Sequence, residues 1–88
     1  MYKEYSKGAA LKELIEYIAR SLVDDPTAVQ VRQDRGGSSV RLELRVAKED
    51  MGRVIGKSGR VANAMRVLLR VAAAREGKSA TMDVIEPR

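Results

Sequence analysis

Two changes of periodicity and one glycine-flanked turn predict an α+β fold, a three-stranded sheet with helices on one face. Apolar residues recur at helical spacing over residues 8–23 and again over 60–75, and they alternate strictly over 40–46. Between the alternating run and the second long helical pattern lies Gly56-Lys57-Ser58-Gly59. The order is helix, strand, strand, helix, glycine turn, helix, strand.

The first helix rests on Leu11, Leu14, Ile15, Ile18 and Leu22, which share one face. Lys12 and Glu16 are spaced to pair on its outside. Asp24-Asp25-Pro26 ends it, because the residue before proline is pushed out of the α region. Tyr2, Tyr5 and Tyr17 are the only aromatics, and they read as packing for an N-terminal arm (residues 1–7) and this helix. From Thr27 the period becomes two: Val29 and Val31 alternate with Gln30 and Arg32. Arg35-Gly36-Gly37-Ser38-Ser39 makes a turn. Val40, Leu42, Leu44 and Val46 then alternate with Arg41, Glu43 and Arg45, so the charged face is left to solvent and helices cover the other. Lys48-Glu49-Asp50 opens a short helix with acids where the macrodipole favours them. Gly52 within it costs about 1 kcal/mol relative to alanine.

The helix over 60–75 is the longest. Val61, Met65, Leu68, Leu69 and Ala72 form its expected core stripe, and Asn63, Arg66 and Arg70 its polar one. Ala64, Val67, Val71 and Ala74 form an apolar flank that one sheet does not need. Gly77 is the expected C-cap. Residues 79–86 make the last strand, with Met82 and Val84 facing inward, and residues 87–88 are tail.

Eighty-eight residues make one domain, residues 1–88, burying roughly 60–65% of the extended-chain surface. There is no cysteine and no histidine, which removes disulfides, thiol chemistry, the commonest general base and the commonest metal ligand. No catalytic residue, metal site or cofactor is expected, and the protein is not read as an enzyme. No apolar run reaches transmembrane length and the N-terminus has no signal-peptide core, so a cytoplasmic location and no membrane contact are expected. The net charge of +5 is concentrated. Residues 48–78 hold eight basic and three acidic residues, while the rest of the chain holds nine of each sign. Such clustering is the footprint of a polyanion partner.

The glycine turn sits inside that cluster. Gly56 is suited to stop a helix at positive φ. Gly59 allows close backbone approach and opens the next helix, whose first N–H groups lack internal partners and attract anions. Lys57 and Arg60 flank the site with mobile positive charge. A nucleotide-phosphate P-loop is excluded by spacing: it needs four residues between its glycines before Lys-Ser, and only three separate Gly52 from Gly56.

Val54-Ile55-Gly56-Lys57-Ser58-Gly59, set between two helical patterns, resembles the GxxG loop of KH domains, which clamps the backbone of about four nucleotides. The element order, with a helix and strand placed before the core, resembles the prokaryotic type II KH fold, α-β-β-α-(GxxG)-α-β, over nearly the whole chain. The size is similar to that of the small bacterial single-KH proteins of the KhpA (YlqC) type. Valine at position 61, where isoleucine is common, is a mild departure. The resemblance implies single-stranded RNA binding, a chaperone-like role, and action with a larger companion of the KhpB (Jag) type in cell elongation and envelope homeostasis.

On this reading Gly56, Gly59 and the adjoining N–H groups hold phosphates, with Ser58 on the exposed turn and Lys57, Arg60 and Arg53 neutralising charge. Bases lie in an aliphatic groove built from Val54, Ile55, Val61 and the 40–46 strand. The absence of Phe and Trp excludes an aromatic stacking platform. The rival reading is a dimerising adaptor with little affinity for RNA, motivated by the apolar flank of the long helix. That flank predicts a homodimer or a pairing with the KhpB-type companion.

Overall fold

The computed structural model describes residues 9–87. Tyr2, Tyr5, the arm over 1–7 and the last residue of the tail lie outside the described residues. Three helices and three strands follow the predicted order: α1 (Ala9–Leu22), β1 (Gln30–Gly36), β2 (Ser39–Arg45), α2 (Met51–Ile55), α3 (Arg60–Ala74) and β3 (Ser79–Val84). Single 3₁₀ turns precede β1, α2 and α3, at Pro26–Ala28, Lys48–Asp50 and Lys57–Gly59.

The sheet runs β1-β2-β3, with β1 antiparallel and β3 parallel to the central β2. Gly36 pairs with Ser39, so Gly37 and Ser38 form a two-residue hairpin loop. Gly37 takes the first loop position at φ 58°, where a side chain would be strained. A parallel neighbour requires a long crossover, and α2, the glycine turn and α3 supply it.

The strict alternation of β2 survives intact. Val40, Leu42 and Leu44 are buried, with Val46 just beyond the strand end, while Arg41 and Arg45 face solvent. Val31, Ala80 and Met82 extend the same buried face, and α1 and α3 pack on it through Leu11, Ile15, Met65 and Leu69. Each such side chain, fully withdrawn from water, stabilises the fold by about 1.5–3 kcal/mol. The outer face carries the pairs Arg41–Asp83 at 3.1 Å, Arg45–Glu43 at 3.5 Å and Arg32–Asp34 at 3.9 Å.

Several expected faces shift. On α3 the buried residues are Ala62, Met65, Leu69 and Ala73, so the core stripe lies one position round from the expected one. Leu68, expected in the core, is 52% exposed, and Val61 and Ala72 are only half-buried. Small alanines let the helix approach the sheet closely, and the larger Leu68 turns outward. On α1, Ala19 is buried while Leu22 is exposed at the helix end. Tyr17 is exposed rather than packed, and Glu16 pairs with Arg20. In β3 the inward residues are Ala80 and Met82, and Val84 is half-buried.

Asp50 departs most from expectation. Its carboxylate is 2% exposed, with Oδ1 and Oδ2 accepting the backbone N–H groups of Asp24 and Asp25 at 3.1 Å each. It therefore ties the exit of α1 to the entrance of α2 across the fold. The Asp24 N–H bond holds the carboxyl below its ordinary range against the opposing effect of burial, helped by Asp25 N–H and Arg53. An acid expected merely to suit a helix dipole is a buried, ionised anchor.

Candidate functional site

The turn between α2 and α3 is built on three residues with unusual backbone, Gly56, Ser58 and Gly59. Gly56 ends α2 at φ 75°, ψ 172°, a region open essentially to glycine alone. A Cβ there would run into Val61 Cγ2 and lie 2.8 Å from the Val61 backbone nitrogen. Val61 thus fills the space that the missing side chain leaves, and the turn closes tightly. Ser58 follows at φ 57°, ψ 27°, the only non-glycine residue at positive φ among the described residues. Gly59 is left-handed at φ 76° and serves as N-cap of α3 with no side-chain capping bond.

These angles push Lys57 and Ser58 outward. Both are exposed, as is Arg60. The Arg60 N–H bonds to the Lys57 carbonyl, so that donor is used inside the turn and not left for a ligand. Among the described residues, Lys57, Arg60 and Arg70 have no ion-pair partner, whereas the arginines of the sheet's outer face are paired. Lys48, Arg75 and Lys78 of the same basic segment have none either, so the unneutralised charge runs along residues 48–78, with Lys57 and Arg60 at the turn itself.

The remaining expected site residues fall into different places. Ile55 is 37% exposed and Val61 half-buried beside the loop, so both offer aliphatic surface. Val54 is fully buried, and so are Val40, Leu42, Leu44 and Val46; they form the core beneath the helices and cannot line a groove. Arg53 is spoken for as well. Its Nη2 donates to Asp24 Oδ2 at 2.9 Å and its Nε lies 3.2 Å from Asp50 Oδ1.

The turn instead leads into a different wall. Gly59, Asn63, Arg66 and Arg70 follow one another at spacings of three or four along one flank of α3. Arg66 donates from Nε to the Met82 carbonyl of β3 at 3.0 Å and from Nη1 to Asn63 Oδ1 at 3.1 Å. This polar stripe starts at the glycine turn and meets the β3 edge at Arg66. The polar spacing of α3 was the signal for it, but only the fold shows that the stripe borders a sheet edge.

The opposite flank of α3 is apolar. Val67, Leu68 and Val71 are each about half exposed, and Leu68 and Val71 adjoin Leu14 of α1. Glu76 borders the same surface, and its Oε1 is buried without a hydrogen-bond partner. No helix among the described residues is long and apolar enough to cross a membrane.

Comparison with known proteins places this architecture. The sequence model of the KhpA/KhpB KH domain matches residues 12–84. RNA-binding protein KhpA of Clostridium acetobutylicum is 51% identical over 75 residues, covering 85% of this chain and all of that protein. RNA-binding protein KhpA of Treponema pallidum is 47% identical, over 85% of this chain and 94% of that protein. Among solved structures, Era in complex with MgGDPNP and nucleotides 1506–1542 of 16S ribosomal RNA matches with a TM-score of 0.67 at 17% identity. That match covers 96% of this chain and 32% of the Era chain, and it establishes a shared fold.

Proposed function

The chain belongs to the KhpA/KhpB KH-domain family, and from that membership we propose that it binds single-stranded RNA by clamping the backbone at its Gly56-Lys57-Ser58-Gly59 loop. The observation that carries the reading is the conjunction at the loop. An uncapped helix N-terminus, a turn held open by Gly56, Ser58 and Gly59, and exposed unpaired cations at Lys57 and Arg60 meet at one point. The Gly59 and Arg60 N–H groups bond within the turn, and the dipole of α3 favours phosphate at this end. Relatives named RNA-binding protein support RNA as the polyanion.

In this mechanism phosphates sit over the loop, neutralised chiefly by Lys57 and Arg60. Arg53 stands at the rim with its charge offset by Asp24 and Asp50. Bases leave the backbone toward Ile55 and Val61 and along the Asn63–Arg66 flank toward β3. Among the described residues no aromatic side chain is present there to stack on. Recognition is consequently short, and a chaperone-like role in the cytoplasm follows naturally from weak, sequence-tolerant contacts. A contribution to cell elongation and envelope homeostasis belongs to the same reading.

Lys57→Asp with Ser58→Asp tests it. Two negative charges on an exposed turn should abolish binding to a labelled single-stranded RNA of mixed sequence while the urea midpoint stays close to wild type. Aspartate tolerates the left-handed conformation of position 58 better than most residues. A folded double mutant with undiminished affinity would remove the loop from the mechanism.

The apolar flank supports a second element of the proposal, pairing with another KH chain. Leu14, Leu68 and Val71 line one surface, and Val67 is exposed one helical turn before Val71. The partner is a second copy in a two-fold dimer or a KhpB-type chain presenting the equivalent face.

A further inference from the structure

Arg53 has two carboxylate partners of opposite character. Asp50, at its Nε, is buried and anchored by two backbone N–H groups. Asp24, at its Nη2, has a side chain 78% exposed and, among the described residues, no other partner for its carboxylate. Asp24 is held in place through its own backbone N–H, which Asp50 accepts, so its carboxylate swings to solvent without moving the chain. Arg53 itself stands one helical turn before Gly56, within the short helix that leads into the loop. The three groups together carry one positive and two negative charges, so an arriving phosphate meets no free cation there.

We propose that Asp24 is an affinity-setting residue that occupies the place of an RNA phosphate on Arg53 in the free protein, and that RNA binding exchanges this carboxylate for a phosphate. The exchange breaks the Arg53–Asp24 pair and keeps the Arg53–Asp50 pair, which fixes the guanidinium in position. The asymmetry follows from burial. An exposed ion pair contributes little and is readily given up, whereas stripping a buried carboxylate of its partner leaves an uncompensated charge. Guanidinium also matches phosphate with paired donors, which favours the exchange once RNA is near. The effect is a brake: only a ligand that already engages the loop gains access to Arg53.

This inference rests on the RNA-binding reading above, and one set of titrations separates the two. Labelled single-stranded RNA of mixed sequence is titrated with wild type, Asp24→Asn, Asp25→Asn and Arg53→Met, and with Asp24→Asn combined with Arg53→Met. Asp25→Asn is the control. It removes the same charge from the neighbouring position, whose side chain accepts from Thr27 and not from Arg53, and asparagine retains that capping role. Urea unfolding of each variant verifies the fold. The expected result is an affinity gain for Asp24→Asn of up to about fivefold at low salt, the range of an exposed ion pair, and at least about twice any gain from Asp25→Asn. In the Arg53→Met background the advantage of Asp24→Asn over Asp25→Asn should vanish. Equal effects of the two asparagine substitutions, or an Asp24→Asn gain that survives without Arg53, would overturn this inference alone. Absence of binding by wild type at low salt would overturn the RNA-binding reading with it.

Discussion

Replacing Gly56 by alanine isolates the geometry of the turn from its charge. The backbone there sits at φ 75°, ψ 172°, where any side chain is strained by about 1–3 kcal/mol. The added methyl would meet Val61 Cγ2 and lie 2.8 Å from the Val61 nitrogen and 2.9 Å from its Cβ. Two of these three atoms cannot rotate away, so relief requires α3 to move, at a typical overpacking cost of about 1–3 kcal/mol. The sum, about 2–6 kcal/mol, is a large share of the roughly 4–13 kcal/mol available to a domain of this size. Gly59→Ala provides the internal comparison. Its φ is similar at 76°, but a Cβ would meet only Asn63 Nδ2 at 3.7 Å, so strain of about 1–2 kcal/mol acts alone. Urea unfolding followed by circular dichroism should therefore rank Gly56→Ala well below Gly59→Ala. Thermal midpoints should separate by at least about 4 °C, at about 4–8 °C per kcal/mol. Adding Val61→Ala should rescue Gly56→Ala only in part, because the backbone contact persists. A Gly56→Ala protein no less stable than Gly59→Ala would refute the steric argument.

Asp50 makes stability depend on acid. Its folded pKa is lowered, so its contribution is complete above the ordinary carboxylate value of about 3.9 and is lost as pH falls through the lower folded value. The gap in urea midpoint between wild type and Asp50→Asn should be constant from about pH 5 to 7 and narrow below about pH 4; a gap that persists unchanged into strong acid would contradict this. The salt dependence of RNA binding by wild type should have a slope of roughly −2 to −3.5, for three to five phosphates at about 0.7 each, whereas a flat titration favours the adaptor reading. Sedimentation of wild type should show concentration-dependent pairing that Val67→Glu abolishes. A dimer unchanged by that substitution would place the interface elsewhere.

Much of this molecule is legible in its sequence because local rules suffice for it. The β2 alternation and the glycine spacing are such cases: period two admits one register against a core, and Gly56 and Gly59 do take positive φ. Legibility fails where two local answers are equally good. So much of α3 is apolar that a stripe through Leu68 and Ala72 and one through Ala62 and Ala73 both fit helical period, and only the closeness of helix to sheet selects the smaller residues. It fails again where a partner is distant in sequence. Nothing near Asp50 announces that the N–H groups of Asp24 and Asp25 will arrive from the end of α1, or that Arg53 will be held between two carboxylates. The same reason hides the Arg66–Met82 bond and the burial of Val54. At the candidate site, the loop is readable from spacing, while the place of the polar stripe beside it depends on which α3 flank meets β3.

The backbone amides report most directly on whether the loop holds RNA. In a ¹H–¹⁵N NMR titration with a short single-stranded RNA, the largest shifts should fall on Lys57, Ser58, Gly59 and Val61, with smaller ones on Asn63 and Arg66. The amides of Leu14, Val67 and Val71 should stay unmoved. Shifts confined to that apolar flank with a silent loop, or no shifts at millimolar RNA in low salt, would contradict the account.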